Sequence, residues 1–337
     1  KYAFGGLVSG QYGEYYIPLF ERISLPSTLK EIHDYAFQNA RYLTSVTFAP
    51  GTTLSDNGKT FSIGASAFYY CESLTSITLP SSTDPDVTYS IGNNAFGYAG
   101  LKEITIPAAV GKFGASVFNR CTDLAKISFE KGANPEFGNS LFAYTAITSV
   151  VLPEGVEALS NYMFQGCNGL TSVTIPATVK TIGIRTFDNC LKLSKITFAT
   201  YEKDGKSYSS VISIDNWAFS KTAIASFTFP TLEGGKMLSL GNAIFSSCRN
   251  LETIGLSKSV GEIGTAFAEC FSIRNFVVDA ESENFSSKPG SPILYNKDGT
   301  AYKYICGQLP AGEYVIPEGI TSIGSNVFKG QLGITGL

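Results

Sequence analysis

Cysteine and histidine are the residues of this 337-residue chain with the most chemistry to offer, and it has seven of the first and one of the second. Thiolates and imidazoles hold zinc, and paired thiols act as redox couples. One spacing is shared by all but one of the cysteines, each lying three residues after a phenylalanine: Cys71, Cys121, Cys167, Cys190, Cys248 and Cys270. In other copies of the pattern the same position holds Ala40, Ala99, Thr145 or Thr222. Because a metal ligand does not interchange with alanine, the spacing predicts a buried ladder of small side chains, with no metal and no cofactor.

Other catalytic patterns are missing from the sequence. It contains no nucleophile elbow, P-loop, zinc-protease motif or closely paired cysteines. The 28 Asp and Glu residues could supply a glycosidase pair, but no two of them stand out. The segment YNKDGT at 295–300 is too short and too poor in ligands for a calcium loop. The sequence therefore predicts a protein that is not an enzyme.

Charge and hydropathy argue against two further classes of partner, nucleic acid and the membrane interior. The 25 basic residues nearly balance the 28 acidic ones, and they form no cluster of the kind that binds nucleic acid. No apolar run approaches the roughly 20 residues that span a bilayer. The start shows no basic stretch followed by an apolar core, so no signal peptide is visible.

Internal repetition organises the chain. The phenylalanines that anchor the pattern lie 22 to 32 residues apart: Phe37, Phe68, Phe96, Phe118, Phe142, Phe164, Phe187, Phe219, Phe245 and Phe267. Phe4 and Phe328 fit partial copies. A basic unit of about 22–23 residues lies in the range of leucine-rich repeats, roughly 20–29 residues.

Each unit predicts one coil of a solenoid. In LTSITLP (74–80) the alternation of apolar and hydroxyl residues indicates a strand with one buried face, which Pro80 ends. An apolar residue and a turn residue follow, as in Ile63-Gly64, and Phe68 and Cys71 then lie three apart, as on one face of a short helical turn. The expected fold is an α/β repeat: a right-handed leucine-rich-repeat solenoid with a parallel sheet on one face and short helical turns on the other.

The motif IG-xx-AF-xx-C-xx-L-xx-I-x-[LIF]-P resembles the repeat of the BspA-like leucine-rich proteins, also called the Treponema pallidum type. The resemblance covers about residues 20–279 and 314–337. It implies a bacterial surface or secreted protein, or a protist homologue, of a family associated with adhesion to host proteins, host cells or other microbes. The family has no shared catalytic residue. Residues 295–305 resemble a hairpin that replaces one coil in such proteins.

The departures from the repeat bear on domain organisation. The units of Phe96, Phe142 and Phe219 are one residue shorter before the next strand, and they lack the cysteine. The chain begins with KYAF, which resembles DYAF at 34–37, and it ends within a strand pattern. We expect a single solenoid domain over 1–337, with a hairpin interruption at 281–313 and both ends truncated in mid-repeat.

Two surfaces are the main candidates for binding. Outward residues of the predicted sheet form rows of Ser and Thr with three charged members, Glu103, Lys126 and Lys195. Lengthened segments share one phase of the repeat and should emerge on one edge, where such loops often bind: 49–61, 81–90, 199–211 and 231–239. They carry the candidate contacts Tyr89, Tyr201 and Tyr208.

Trp217 and the hairpin region are weaker candidates. Trp217 should lie on the outer side, either packed beneath the 199–213 insertion or exposed to a ligand. The hairpin region 281–313 is expected to re-seal the core as a spacer, with Cys306 buried. We expect a secreted or cell-surface recognition or adhesion module that binds a host or microbial protein or a glycan. The alternatives are a self-associating structural scaffold and a polysaccharide-binding accessory protein.

Overall fold

The computed structural model describes these residues: 5–10, 13–52, 54–56, 59–82, 84, 86–325, 327–329 and 331–336, with side chains except at 5–17, 55, 56 and 59. Phe4 and the KYAF segment lie outside the described residues. Successive coils stack into a β-solenoid with parallel strands, as the repeat predicts. In the described part of the chain, no helix has the length and apolar character needed to cross a membrane.

One face of the solenoid carries the main parallel strands, one per coil. They are β1 Arg22–Leu25, β2 Ser45–Phe48, β3 Ser76–Ile77, β4 Glu103–Ile106, β5 Lys126–Phe129, β6 Ser149–Val151, β7 Ser172–Ile175, β8 Lys195–Phe198, β9 Ser226–Thr228, β10 Thr253–Leu256 and β11 Asn275–Val278. They pair in chain order as β1-β2-β3, β4-β5-β6-β7-β8 and β9-β10-β11. In β4 exposed and buried residues alternate, so every second side chain enters the core, as the sequence pattern predicts.

Shorter strands lie just before the turn that follows each insertion point. Two parallel ladders contain Glu31–Ile32, Ser62–Ile63, Tyr89–Ile91 and Val110–Phe113, then Ala158–Leu159, Thr181–Ile182, Ser213–Ile214 and Ser239–Leu240. Antiparallel hairpins are formed by Gly5–Gly10 with Gly13–Pro18, Ser55–Asp56 with Lys59–Thr60, and Tyr201–Lys203 with Lys206–Tyr208. A 3-10 turn occupies Glu233–Gly235.

The anchoring phenylalanines form one continuous stack through the core. Ring centroids of successive coils are 5.1 to 5.9 Å apart, from Phe37–Phe68 to Phe245–Phe267, with the planes nearly parallel. From Phe68 to Phe267 these rings are 2% exposed or less. Aromatic rings at this separation add to the hydrophobic stabilisation of burial. Each coil from Phe37 to Phe267 contributes one ring to the stack.

The segments that surround these phenylalanines are not helical, and the prediction of short helical turns is wrong. A helix needs each N–H to reach the carbonyl four residues back. Here the N–H groups of Tyr35 and Phe37 donate instead to carbonyls of the next coil, those of Ala65 and Ala67, at 2.9 and 2.7 Å. Between them, the N–H of Ala36 donates to the carbonyl of His33 at 3.2 Å and closes a four-residue β-turn. A Phe–Cys spacing of three fits both geometries, so spacing alone could not separate them.

The turn segments around the phenylalanines form one surface of the solenoid, which we call the turn face. On it, many non-glycine residues have φ values in the left-handed region. One column lies two residues before each phenylalanine and includes Tyr35, Ser66, Asn94, Ser116, Ser140, Tyr162, Arg185, Trp217 and Ala243. A second lies two residues after it and includes Asn39, Tyr70, Tyr98, Arg120, Tyr144, Asn189, Lys221, Ser247 and Glu269. Turns whose third residue has a positive φ normally place Gly or Asn there. Bulky residues cost about 1 kcal/mol each at such positions.

The hairpin region forms an antiparallel meander of Phe285–Ser287, Ile293–Asn296 and Ala301–Ile305. Leu294 and Cys306 belong to the main core, whereas Tyr295 and Tyr302 form a second apolar cluster with Leu309. The meander therefore contacts both cores, and its role as a spacer stays a prediction. The last meander strand pairs in parallel with Ser322–Ile323, and Gly312–Glu313 pairs with Ile334–Gly336.

Candidate binding surfaces

The outward side chains of the main sheet stand in the rows that the sequence predicts. Glu103, Lys126, Ser149, Ser172 and Lys195 are paired neighbours from β4 to β8. The Nζ atom of Lys126 lies 3.8 Å from Oε2 of Glu103, and both side chains are largely exposed. Exposed ion pairs contribute little to stability. These charges are therefore available to a ligand without loss of the fold.

The rows are interrupted at two junctions. In the part of the chain that is described, no strand pairing joins β3 to β4 or β8 to β9. A third junction, β5 with β6, is reduced to the single pair Lys126–Ser149. In all three cases the later strand follows a shortened coil, that of Phe96, Phe142 or Phe219. We attribute the interruptions to the missing residue, which shifts the start of the strand against the preceding coil. We call the β3/β4 junction seam 1 and the β8/β9 junction seam 2.

Seam 2 opens into a cavity of about 520 Å³ on the sheet face. We call it the seam cleft; it lies between the two unpaired strands and the inserted hairpin. Hydroxyl groups dominate its lining, which includes Lys195, Thr197, Thr200, Ser207, Ser226 and Thr228. Among the described residues Lys195 has no ion-pair partner, so its ammonium can donate to a ligand. The structure thus brings one sequence-predicted candidate into a concave site.

The inserted edge places Tyr201 and Tyr208 next to each other. They face each other across the antiparallel hairpin, with ring centroids 6.1 Å apart. The Tyr201 hydroxyl donates to Oε2 of Glu233 at 2.9 Å, and the Lys203 ammonium pairs with the same carboxylate. The bonds from Lys203 and Tyr201 lower the pKa of Glu233. Because Glu233 belongs to the next insertion, two consecutive insertions contact each other, as expected for segments of one phase.

Tyr89 does not lie on this edge, and its prediction as a ligand contact is wrong. Its side chain is 2% exposed and its ring lies 5.2 Å from that of Phe61. Its hydroxyl donates to the carbonyl of Pro80 at 3.0 Å, and burial raises its pKa. The strand Tyr89–Ile91 begins inside the segment that the sequence assigned to the insertion. The tyrosine therefore belongs to the core.

Trp217 lies in the left-handed column of the turn face and is half-buried. The guanidinium of Arg185, on the preceding coil, lies 4.8 Å from the centroid of its ring. Arg185 also pairs with the buried Asp188 at 3.1 Å. The contact that the structure gives Trp217 is therefore with the preceding coil. Its packing beneath the 199–213 insertion and its role in ligand binding stay predictions.

The turn face carries a stacked row that the sequence reading missed. Tyr70 and Tyr98 stack at 4.5 Å, and the guanidinium of Arg120 lies 5.8 Å from the ring of Tyr98 and 4.6 Å from that of Tyr144. We call these four residues the aromatic stripe. All have left-handed φ values. They occupy one column of the repeat, two residues after each phenylalanine. When the repeats are aligned at that position, the sequence shows the run Tyr, Tyr, Arg and Tyr.

Two of the shortened coils also leave cavities on the turn face. Beside the stripe, the coil of Phe96 has a cavity of about 270 Å³, the aromatic notch, which is lined by Tyr70, Glu72, Tyr98, Ala99, Gly100, Arg120, Thr122 and Asp123. The coil of Phe219 has a cavity of about 350 Å³ at equivalent positions, the polar notch, which is lined by Leu191, Lys221, Thr222, Ala223, Ser247, Arg249 and Asn250. In these two coils the one-residue deletion therefore changes both the sheet face, where pairing between the described strands is missing, and the turn face, where a notch is present.

The repeat cysteines are buried, as the sequence predicts. Each thiol donates to the carbonyl of the preceding anchoring phenylalanine, as Cys190 does to Phe164 at 3.1 Å. Burial raises the pKa of the Cys167 thiol to about 11 and that of Cys121 to about 12. Outside the masked positions, no three His, Cys, Asp or Glu side chains gather as a metal site. Cys306 is buried as well.

Comparisons with known proteins agree with this architecture. A family model described as BspA type leucine rich repeat region (6 copies) matches residues 12–84, 52–168, 135–208 and 170–289. A leucine-rich repeat protein from Bacteroides ovatus is 21% identical, with a TM-score of 0.54 over 98% of this chain and 80% of that one. The pneumococcal vaccine antigen PcpA is 18% identical, with a TM-score of 0.50 over the same shares. No curated protein matches the chain. The chain belongs to the BspA-type leucine-rich-repeat family.

Proposed function

We propose that this protein is a non-catalytic recognition module, secreted or held at the cell surface, which binds a protein or glycan partner through the seam cleft and the inserted edge. The seam cleft is the observation that supports this most. It combines a concave surface, a preformed wall and polar groups that converge on one volume, which are features of binding sites. The contact of Tyr201 and Lys203 with Glu233 fixes the hairpin that forms the wall.

Adhesion to a host or to other microbes is the finer form of the proposal. The family resemblance suggests it, and the description of the pneumococcal relative as a vaccine antigen agrees with exposure at a cell surface. Tyr201, Tyr208 and Lys195 are the side chains that we propose for the contact, whereas any role of Trp217 is separate because it lies on the turn face. Glu103 and Lys126 lie on the same sheet face but outside the cleft.

Biosensor binding to a panel of extracellular-matrix and plasma glycoproteins tests the proposal. The variant that we call the cleft variant combines Lys195→Ala, in the cleft, with Tyr201→Ala and Tyr208→Ala, on the inserted edge. The matched control is Lys126→Ala, which removes the same charge from the same row, away from the cleft. We expect saturable binding that the cleft variant loses and the control keeps. Binding that both variants retain would contradict the assignment to the cleft.

The main alternative is a structural scaffold that associates with itself. Exposed apolar residues on the sheet face, Val151 at 85% and Val277 at 54%, favour this second candidate. Light scattering over a hundredfold range of protein concentration separates the two functions. A scaffold predicts a mass that rises with concentration and no saturable binding to the panel, whereas a recognition module predicts a constant mass.

A further inference from the structure

The aromatic notch contains an arginine whose guanidinium is oriented by two rings but has no hydrogen-bonding partner among the described residues. Arg120 is held between the rings of Tyr98 and Tyr144. Among the described residues no carboxylate, hydroxyl or carbonyl accepts a hydrogen bond from its guanidinium. A guanidinium carries five N–H donors in a fixed plane. Because the two rings already restrict this side chain, it loses little further entropy when a ligand accepts those bonds.

The opposite side of the notch supplies acceptors. Asp123 and Glu72 line the same cavity, and both are exposed. Glu72 lies 3.9 Å from Arg41, whereas Asp123 has no ion pair within the described chain. The tyrosine hydroxyls and the Thr122 hydroxyl can both donate and accept. Donors and acceptors therefore surround a volume of about 270 Å³.

We propose that the aromatic notch is a second binding site, on the turn face, and that its ligand is a neutral saccharide unit of a glycan. An anionic ligand would meet Asp123 and Glu72 as well as Arg120, and a basic ligand would meet Arg120 as well as the two carboxylates, so neither sign of charge suits the whole notch. A neutral polyol satisfies both groups, because each of its hydroxyls donates one hydrogen bond and accepts others. The C–H surfaces of a sugar ring also suit the edges of Tyr70 and Tyr98.

The composition of the column supports a role beyond structure. Its positions require a left-handed φ, and the coils of Phe37, Phe164 and Phe187 meet that requirement with Asn39, Gly166 and Asn189. The four coils from Phe68 to Phe142 carry the larger residues of the aromatic stripe instead. Lys221 and Glu269 meet the requirement elsewhere with long charged side chains, so the stripe is distinguished by its adjoining aromatic rings and not by its backbone conformation. The polar notch is a cavity at the equivalent backbone positions, but it lacks the aromatic residues. It therefore provides an internal control.

An array of neutral mono- to tetrasaccharides of hexoses and N-acetylhexosamines tests the proposal, followed by titration of any hit by calorimetry. Asp123→Ala removes an exposed side chain without an ion pair, so it should leave folding intact. Asn250→Ala is the matched change in the polar notch, since both residues lie two positions after a repeat cysteine. We expect Asp123→Ala and Arg120→Gln to weaken binding at least tenfold, and Asn250→Ala to leave it within twofold.

The seam-cleft variant separates this site from the proposed function. It should bind the saccharide like the unmodified protein, even if it has lost a glycoprotein partner. The proposal is overturned if no neutral saccharide binds, or if Asp123→Ala and Arg120→Gln leave the affinity unchanged. A preference for sulfated saccharides or for lysine-rich peptides over neutral sugars would also overturn it.

Discussion

Regular and shortened coils of this solenoid differ by one residue between the anchoring phenylalanine and the next strand. Both kinds of coil bury equivalent core residues. In the regular coil of Phe187, Leu193 follows the ring by six positions, and the thiol of Cys190 donates to the carbonyl of Phe164. In the shortened coil of Phe96, Leu101 follows by five, and Ala99 replaces the cysteine. Leucine and phenylalanine are fully buried in both. The core therefore tolerates the deletion.

The difference appears at the surfaces instead. The phenylalanine stack crosses from Phe187 to Phe219 at 5.6 Å, the same spacing as between neighbouring coils. On the sheet face, however, the strand of the shortened coil, β9, does not pair with β8 of the preceding coil, and on the turn face a notch opens. Because the interior is closely packed, the core residues keep their places. The one-residue deletion therefore changes the backbone at the surface of the coil. Deletions of this kind create concave sites in a solenoid without loss of its core.

The largest expected effect tests whether the core is the same in both kinds of coil. Phe187→Ala and Phe219→Ala should each lower the free energy of unfolding by roughly 3–5 kcal/mol, because each ring is fully buried and stacked on both sides. Urea unfolding followed by circular dichroism measures both. A markedly smaller loss for Phe219→Ala would show that the shortened coil is loosely packed.

Gly100→Ala should lower the free energy of unfolding by about 1–3 kcal/mol, because it overpacks the aromatic notch. A Cβ atom at this position would lie 2.0 Å from the carbonyl oxygen of Glu72. Ala223 is the equivalent residue of the polar notch and already carries a Cβ atom. Ala223→Gly is therefore the control and should change stability by at most about 1 kcal/mol. Thermal unfolding of both variants checks the contrast, and equal effects would mean that the two notches are not distinct.

Alkaline pH should weaken the regular coils through their thiols. The Cys167 thiol has its pKa raised by burial from 9.0 to about 11, so the unfolded chain releases this proton first. Its contribution to stability is complete below pH 9 and is lost as the pH rises through 11, at up to about 1.4 kcal/mol per pH unit. Unfolding free energies at pH 8, 9 and 10 should fall less steeply for Cys167→Ala than for the unmodified protein. Parallel curves would contradict a buried, protonated thiol.

The smallest expected effect concerns the exposed row of the uninterrupted sheet. Lys126→Ala removes the ion pair with Glu103 and should change the unfolding free energy by less than about 0.5 kcal/mol. Chemical unfolding at low and high salt measures it. A larger, salt-dependent loss would show that the charges hold the sheet together and are not available for binding.

The repeat made most of the fold predictable. Alternation fixed the inward residues of the strands, the spacing of the phenylalanines placed the core stack, and exchange of cysteine with alanine and threonine identified a buried ladder. The helical turns were predicted wrongly, since a spacing of three is shared by a helix and by consecutive turns. Hydrogen bonds to the next coil decide between them, and a single unit of sequence does not contain that coil.

The binding surfaces were predicted less well. The shortened units were recognised, but their effect on strand pairing depends on register between coils, which no local pattern encodes. The sequence places Tyr89 in a loop because glycine marks only the end of this strand, at Gly92, and neither proline nor glycine marks its start. The aromatic stripe went unnoticed because its members lie 22 to 28 residues apart and become neighbours only when the coils stack.

The two seams have a consequence for cooperativity. In a solenoid each coil contacts only its neighbours, so unfolding free energy is nearly a sum of unit and junction contributions. Junctions without strand pairing are the weak terms in that sum. Seams 1 and 2 should therefore divide the stack into blocks that open separately, with amide protons near β4 and β9 exchanging with solvent sooner than those of β7.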